Sequence, residues 1–174
     1  MGLVPCSLNY MSNVPSGKID FPPLLEVGKH IMTIEELESL CLSGFPKSQT
    51  RQQILDRLRQ VIEKISSANI DGELWVDGSL LTKKNNPNDS DVVLRLDGSK
   101  VENFNDDQKK IIDWLCSDLK TDYLCDSYFF ASFPEDHQYH EFGKERYEYW
   151  ERYWGRGRDG SEKGFVIIVI GGGV

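Results

Sequence analysis

The chain has 174 residues, 39% hydrophobic and 28% charged, a length and composition suited to one compact domain around one core. Its formal net charge of -8 excludes global steering toward nucleic acid, where binding rests on phosphate neutralisation, and leaves open only a local basic site. The longest apolar run, Phe165 to Ile170, is far too short to cross a bilayer, so no membrane partner is expected.

No basic, apolar and small-residue order opens the chain, so no secretory signal is expected. Cys6, Cys41, Cys116 and Cys125 have neither CxxC pairing nor zinc spacing. They read as scattered thiols of a cytoplasmic protein.

Residues 1–30 read as an irregular arm, because Pro5, Pro15, Pro22 and Pro23 with Gly2, Gly17 and Gly28 interrupt regular structure. Thr33 with Glu36 forms a capping box, which predicts a short helix to about Leu42. Ser48 opens a longer helix to about Ser67, with Ile54, Leu58, Val61, Ile62 and Ile65 on one face. Arg51, Arg57, Arg59 and Lys64 then fall on a solvated charged side.

Turn residues 69–72 lead into a strand, Glu73 to Asp77. A polar loop, Thr82 to Asp89, precedes a second strand, Ser90 to Leu96. A helix from Asn105 or Asp106 carries Ile111, Ile112, Trp114, Leu115 and Leu119. Tyr123 to Ser132 predicts a third strand, and His137 to Trp154 an aromatic helix with Tyr147, Trp150 and Trp154 on one face. Lys163 to Ile170 closes as a strand, and residues 171–174 read as a flexible tail. The order predicts an α+β domain over residues 31–170, a small mixed sheet with helices packed on it.

The chemistry is concentrated in residues 74–94, where an apolar strand runs into Gly78-Ser79 and Asp89-Ser90-Asp91 enters the next strand. Gly78 has no Cβ to keep a phosphate from the backbone. Ser79 offers a hydroxyl and a backbone N–H to phosphate oxygens. Asp89 and Asp91 alternate along an extended strand and emerge on one face, where two carboxylates suit Mg²⁺. Lys83 and Lys84 are candidates for a triphosphate tail and equally read as solvated loop lysines.

This segment resembles the nucleotidyltransferase fold of the polymerase-beta superfamily. The pattern there is an apolar residue, Gly-Ser, a short loop and Asp-x-Asp on the next strand, with a third acid on a later strand. The resemblance implies Asp89, Asp91 and Asp126 as metal ligands and catalytic residues, with Asp122 the alternative to Asp126. It implies Gly78 and Ser79 as holders of the β- and γ-phosphates, Mg²⁺ or Mn²⁺ as cofactor, and a nucleoside triphosphate as substrate. The acceptor would be a protein, an RNA end or a small molecule. The whole chain also looks like small bacterial and phage-associated nucleotidyltransferase-like proteins, through Gly28-Lys29-His30 and the Arg158-to-Gly164 turn as well as the core. That likeness implies a toxin–antitoxin or phage-defence setting. Asp77 departs from the pattern and is read as a structural residue on the sheet's other face.

His137, His140 and Glu141 at helical spacing lack a third ligand and read as packing or surface residues. Arg156, Arg158 and Lys163 border glycine-rich turns and read as solvated. The aromatic run from Tyr139 to Trp154 fits a core or a partner-binding face. The rival to an enzyme is an inactive interaction module, antitoxin-like or regulatory, that keeps the fold.

Overall fold

A computed structural model describes residues 20–172. Most of the expected arm, the end of the expected tail, and Cys6 lie outside these residues.

Five strands form one mixed sheet in the order β1-β5-β2-β3-β4. They are β1 (Gly28–Ile31), β2 (Gly72–Asp77), β3 (Ser90–Asp97), β4 (Cys125–Ser132) and β5 (Gly164–Ile170). The centre, β5-β2-β3, is antiparallel, while β1 runs parallel to β5 and β4 parallel to β3. The helices are α1 (Ile34–Ser43), α2 (Arg51–Ser67), α3 (Gly98–Val101), α4 (Asp106–Leu115), α5 (Lys120–Tyr123) and α6 (His140–Trp154). The expected α+β class with a small mixed sheet is what the chain adopts. No helix among the described residues is long and apolar enough to cross a membrane.

Period-two alternation divides the core. Leu74 and Val76, Val92 and Leu94, and Val166 and Ile168 face α1, α2 and α4 in an aliphatic layer with Leu37, Ile54, Leu58, Val61, Ile65 and Leu115. Trp75, Val93, Phe130, Phe165 and Ile167 face α6 in an aromatic layer with Trp150 and Trp154. Trp75 is fully buried there, 5.5 Å from the Phe130 ring and 5.2 Å from that of Tyr147, both edge-on. Edge-on contact sets a positive ring edge against a negative face. The face expected of Tyr147, Trp150 and Trp154 therefore packs on the sheet.

The Thr33 capping box forms: its Oγ1 accepts from the Glu36 N–H at 3.2 Å, and the Glu36 carboxylate accepts from the Thr33 N–H at 2.8 Å. α2 starts at Arg51 rather than Ser48, whose Oγ accepts from the Arg51 N–H at 3.2 Å. β1 lies partly within the stretch read as irregular. Its neighbour Gly164 meets the chain closely, since a Cβ there would stand 2.0 Å from the Glu26 carbonyl oxygen. Cys41 and Cys125 are buried free thiols, but Cys116 is disulfide-bonded, which corrects the expectation of free thiols at all four positions.

Arg51 also departs from the sequence reading. It is not on a solvated side but fully buried. Its guanidinium donates to the carbonyls of Cys41 (3.2 Å), Leu80 (2.8 Å), Thr82 (2.6 Å) and Lys84 (2.7 Å). The Phe45 ring lies 3.6 Å from the same cation. The fork geometry of guanidinium lets one side chain gather several carbonyls. Arg51 thus shapes the loop that follows Gly78-Ser79.

Candidate metal and nucleotide site

The site lies where β2 ends and β3 and β4 begin, on the sheet face that carries α6. Asp77 pairs in register with Asp91, and Asp91 with Asp126. Directly opposed residues on neighbouring strands project to the same face. Asp77, Asp91 and Asp126 therefore form a row across three strands, and Asp89, two residues before Asp91, extends it by alternation. This corrects the reading of Asp77, which shares the acidic face rather than turning away.

The turn after β2 makes room for the row. Gly78 has φ 90° and ψ -167°, a conformation almost confined to glycine. A Cβ at Gly78 would stand 1.8 Å from Asp91 Oδ2. Glycine is thus demanded twice, by the backbone angle and by the neighbouring carboxylate. Ser79 opens a single 3₁₀ turn, Ser79–Leu81, closed by a bond from the Thr82 hydroxyl to the Ser79 carbonyl at 2.8 Å.

Two lysines meet the acids. Lys163 Nζ lies 2.7 and 2.6 Å from the two carboxylate oxygens of Asp77, and its side chain is only 15% exposed. Its expected solvation is thereby corrected. Lys120 Nζ lies 2.8 Å from Asp126 Oδ2 and 3.8 Å from Asp89 Oδ2. Lys120 carried no motif in the sequence. It sits on the four-residue α5, just before the strand that carries Asp126, and the fold brings it to Asp89, well before it in the chain.

Asp91 is largely buried. Burial, then the charges of Asp89, Asp77 and Asp126, push its carboxyl up to about 7, against the opposing pull of Lys120. Burial raises Asp77 to about 6, less far because Lys163 and the Gly78 N–H favour its charged form. The hydrogen bond with Asp126 holds the Lys120 ammonium above its ordinary value. Tyr128, next on the same face of β4, is raised by burial and by the charge of Asp126.

Of the residues singled out in the sequence, Asp89, Asp91, Asp126 and Gly78 come together, with Ser79 adjoining. Lys83 and Lys84 do not join them by any contact among the described residues. The fold uses their backbones: the Lys83 N–H donates to the Pro22 carbonyl at 2.8 Å, and the Lys84 carbonyl accepts from Arg51. The histidines serve packing, as expected. His137 stacks on Phe133 with centroids 4.6 Å apart, and a His140 ring nitrogen bonds the Phe133 carbonyl at 3.0 Å.

The model of a family of unknown function, DUF6932, matches residues 18–169. The chain belongs to that family. No curated protein and no solved structure matches it. The span matched in this DUF6932 chain includes the Gly78-Ser79 turn, all four aspartates and both lysines.

The donor set of the DUF6932 site is entirely carboxylate oxygen, the type that hard divalent cations prefer. No group of three or more His, Cys, Asp or Glu among the described residues is arranged to hold a metal ion. A lysine ammonium bridges two of the carboxylates instead. The residues are thus of the donor type a divalent cation takes, and the charge of Lys120 is set against two of them. Two clefts of about 380 and 370 Å³ lie elsewhere, one beside Ile31 and Val169 and one beside Arg95 and Tyr147.

Proposed function

We propose that this protein is a metal-dependent nucleotidyltransferase that moves a nucleoside monophosphate from a triphosphate to a protein, RNA or small-molecule acceptor, releasing pyrophosphate. The observation that carries the proposal is the in-register row of Asp77, Asp91 and Asp126 beside a glycine that Asp91 itself requires. A fold gains nothing in stability by crowding carboxylates around a buried one, and such crowding is common where charge is to be bound or moved.

Asp89, Asp91 and Asp126 would hold Mg²⁺ or Mn²⁺, which would neutralise charge developing on the departing pyrophosphate. The Gly78-Ser79 turn would present backbone N–H and hydroxyl donors to the β- and γ-phosphates. Asp126, at the solvent side of the row, would accept the proton of the acceptor hydroxyl. Lys163 keeps Asp77 charged and fixed, which holds the end of β2 beside Asp91. With a net charge of -8, a protein acceptor is favoured over RNA. A cytoplasmic toxin–antitoxin or phage-defence role belongs to the same proposal.

A second reading is favoured by the lysines. Lys120 and Lys163 together supply two positive charges to four carboxylates. An inactive member would keep them as permanent counter-ions and work through exposed aromatics such as Tyr139, Phe142 and Tyr153.

Incubation with each α-labelled triphosphate and Mg²⁺ or Mn²⁺, with and without host lysate, separates the two. Label should pass to a protein or RNA band with the wild type and not with Asp89→Asn/Asp91→Asn. Undiminished transfer by that folded double variant would remove the site assignment, and no transfer by any chain would favour the interaction module.

A further inference from the structure

We propose that Lys120 is a built-in counter-ion that occupies the divalent-cation position in the resting protein and must leave before a metal ion can enter. This deepens the metal reading above and rests on it. One ammonium touches Asp126 at 2.8 Å and approaches Asp89 at 3.8 Å, so it claims oxygens from two of the three carboxylates assigned to the metal. An ammonium and a divalent cation cannot share those oxygens at close range, so they exclude each other.

The two lysines of the site differ in how firmly they are held. Lys163 contacts both oxygens of Asp77, is 15% exposed, and is anchored by its own N–H to the Gly155 carbonyl at 2.9 Å. Lys120 contacts Asp126 through one oxygen, and its side chain is 52% exposed. Its backbone is fixed by the Asp118 carboxylate, which accepts the Lys120 N–H at 3.0 Å, while the flexible stem is free to swing into solvent. A half-exposed lysine leaves a carboxylate at small cost. Lys163 is therefore a permanent part of the fold and Lys120 a displaceable one. Any anion that pairs with the departing ammonium eases metal entry, and a triphosphate is such an anion.

The test is Mn²⁺ binding by the full chain, followed by electron paramagnetic resonance or calorimetry without nucleotide. Lys120→Gln should bind Mn²⁺ more tightly than wild type by on the order of tenfold, an ordinary size for coupling between two sites. Lys120→Arg, which keeps the charge, should not. Thermal melting establishes that each variant is folded. Equal affinity in wild type and Lys120→Gln, abolished by Asp89→Asn/Asp91→Asn, would overturn the role of Lys120 and leave the metal site standing. A folded Lys120→Gln chain that binds no Mn²⁺ would overturn both.

Discussion

Arg51 and Asp91 are both charged side chains set inside the fold, and their surroundings are opposite. Arg51 meets four carbonyl oxygens and an aromatic face, all of which favour its positive charge. Asp91 meets three other carboxylates, which disfavour its negative charge, and only Lys120 pulls the other way. Burial of a charge is costly unless partners compensate it. The comparison separates a charge recruited to hold the chain from one held in readiness for something else.

The largest expected effect is at Arg51. Arg51→Met keeps much of the volume and removes the guanidinium donors from four carbonyls, that of Cys41 in α1 and those of Leu80, Thr82 and Lys84, of which Leu80 retains the Cys41 thiol at 3.7 Å. Loss of one side of a buried charged network costs about 3–5 kcal/mol. Urea unfolding should show a midpoint shift of that size. A loss below about 1 kcal/mol, the scale of a surface substitution, would place Arg51 among ordinary helix residues and break the comparison.

Asp91→Asn should act with the opposite sign. Asp91 and Asp77 titrate in the folded chain at about 7 and about 6. In the unfolded chain both titrate near ~4. The folded state therefore binds more protons than the unfolded state between about pH 4 and pH 7. The stability these groups contribute is fully present below about pH 4 and is lost as pH rises through that window. Wild type should lose stability between about pH 4 and pH 7 on their account, and Asp91→Asn should flatten the slope. At pH 8 the variant should be the more stable by on the order of 3 kcal/mol. A slope undiminished in Asp91→Asn would assign it to groups other than Asp91. Added Mn²⁺ should restore stability at pH 8 to wild type and not to Asp89→Asn/Asp91→Asn.

The same two regions show what a sequence can disclose. Asp89, Asp91 and Gly78 were legible because alternation along a strand and a glycine before a polar loop are local signals, whereas Asp126 was named only through the resemblance to nucleotidyltransferases. Asp77 was misassigned because its face depends on register with β3, which no residue near it announces. The four-residue helices α3 and α5 are too short to show periodicity, so Lys120 gave no signal at all. β1 was hidden because its residues, Gly28-Lys29-His30-Ile31, do not alternate as a half-buried strand does, and pairing with β5 alone defines it. Arg51 looked like its neighbours Arg57 and Arg59 on the helix. Only the return of the 80–84 loop over the start of α2 buries it.

Gly78 offers the smallest effect and the sharpest test of how closely the acidic row is built. Gly78→Ala meets two obstacles, a backbone conformation nearly reserved for glycine and an Asp91 oxygen where its Cβ would stand. The carboxylate is the end of a side chain and can turn aside, so the combined cost should be about 2 kcal/mol. Pairing the substitution with Asp91→Ala separates the two contributions, since the double variant keeps the backbone strain and loses the collision. Gly78→Ala should therefore cost less in the Asp91→Ala background than in the wild type. An equal cost in both would mean that the backbone angle alone demands glycine, and that Asp91 stands farther from the turn in solution. A lower cost would tie the glycine to the carboxylate and make the Gly-Ser turn and the aspartate row one device.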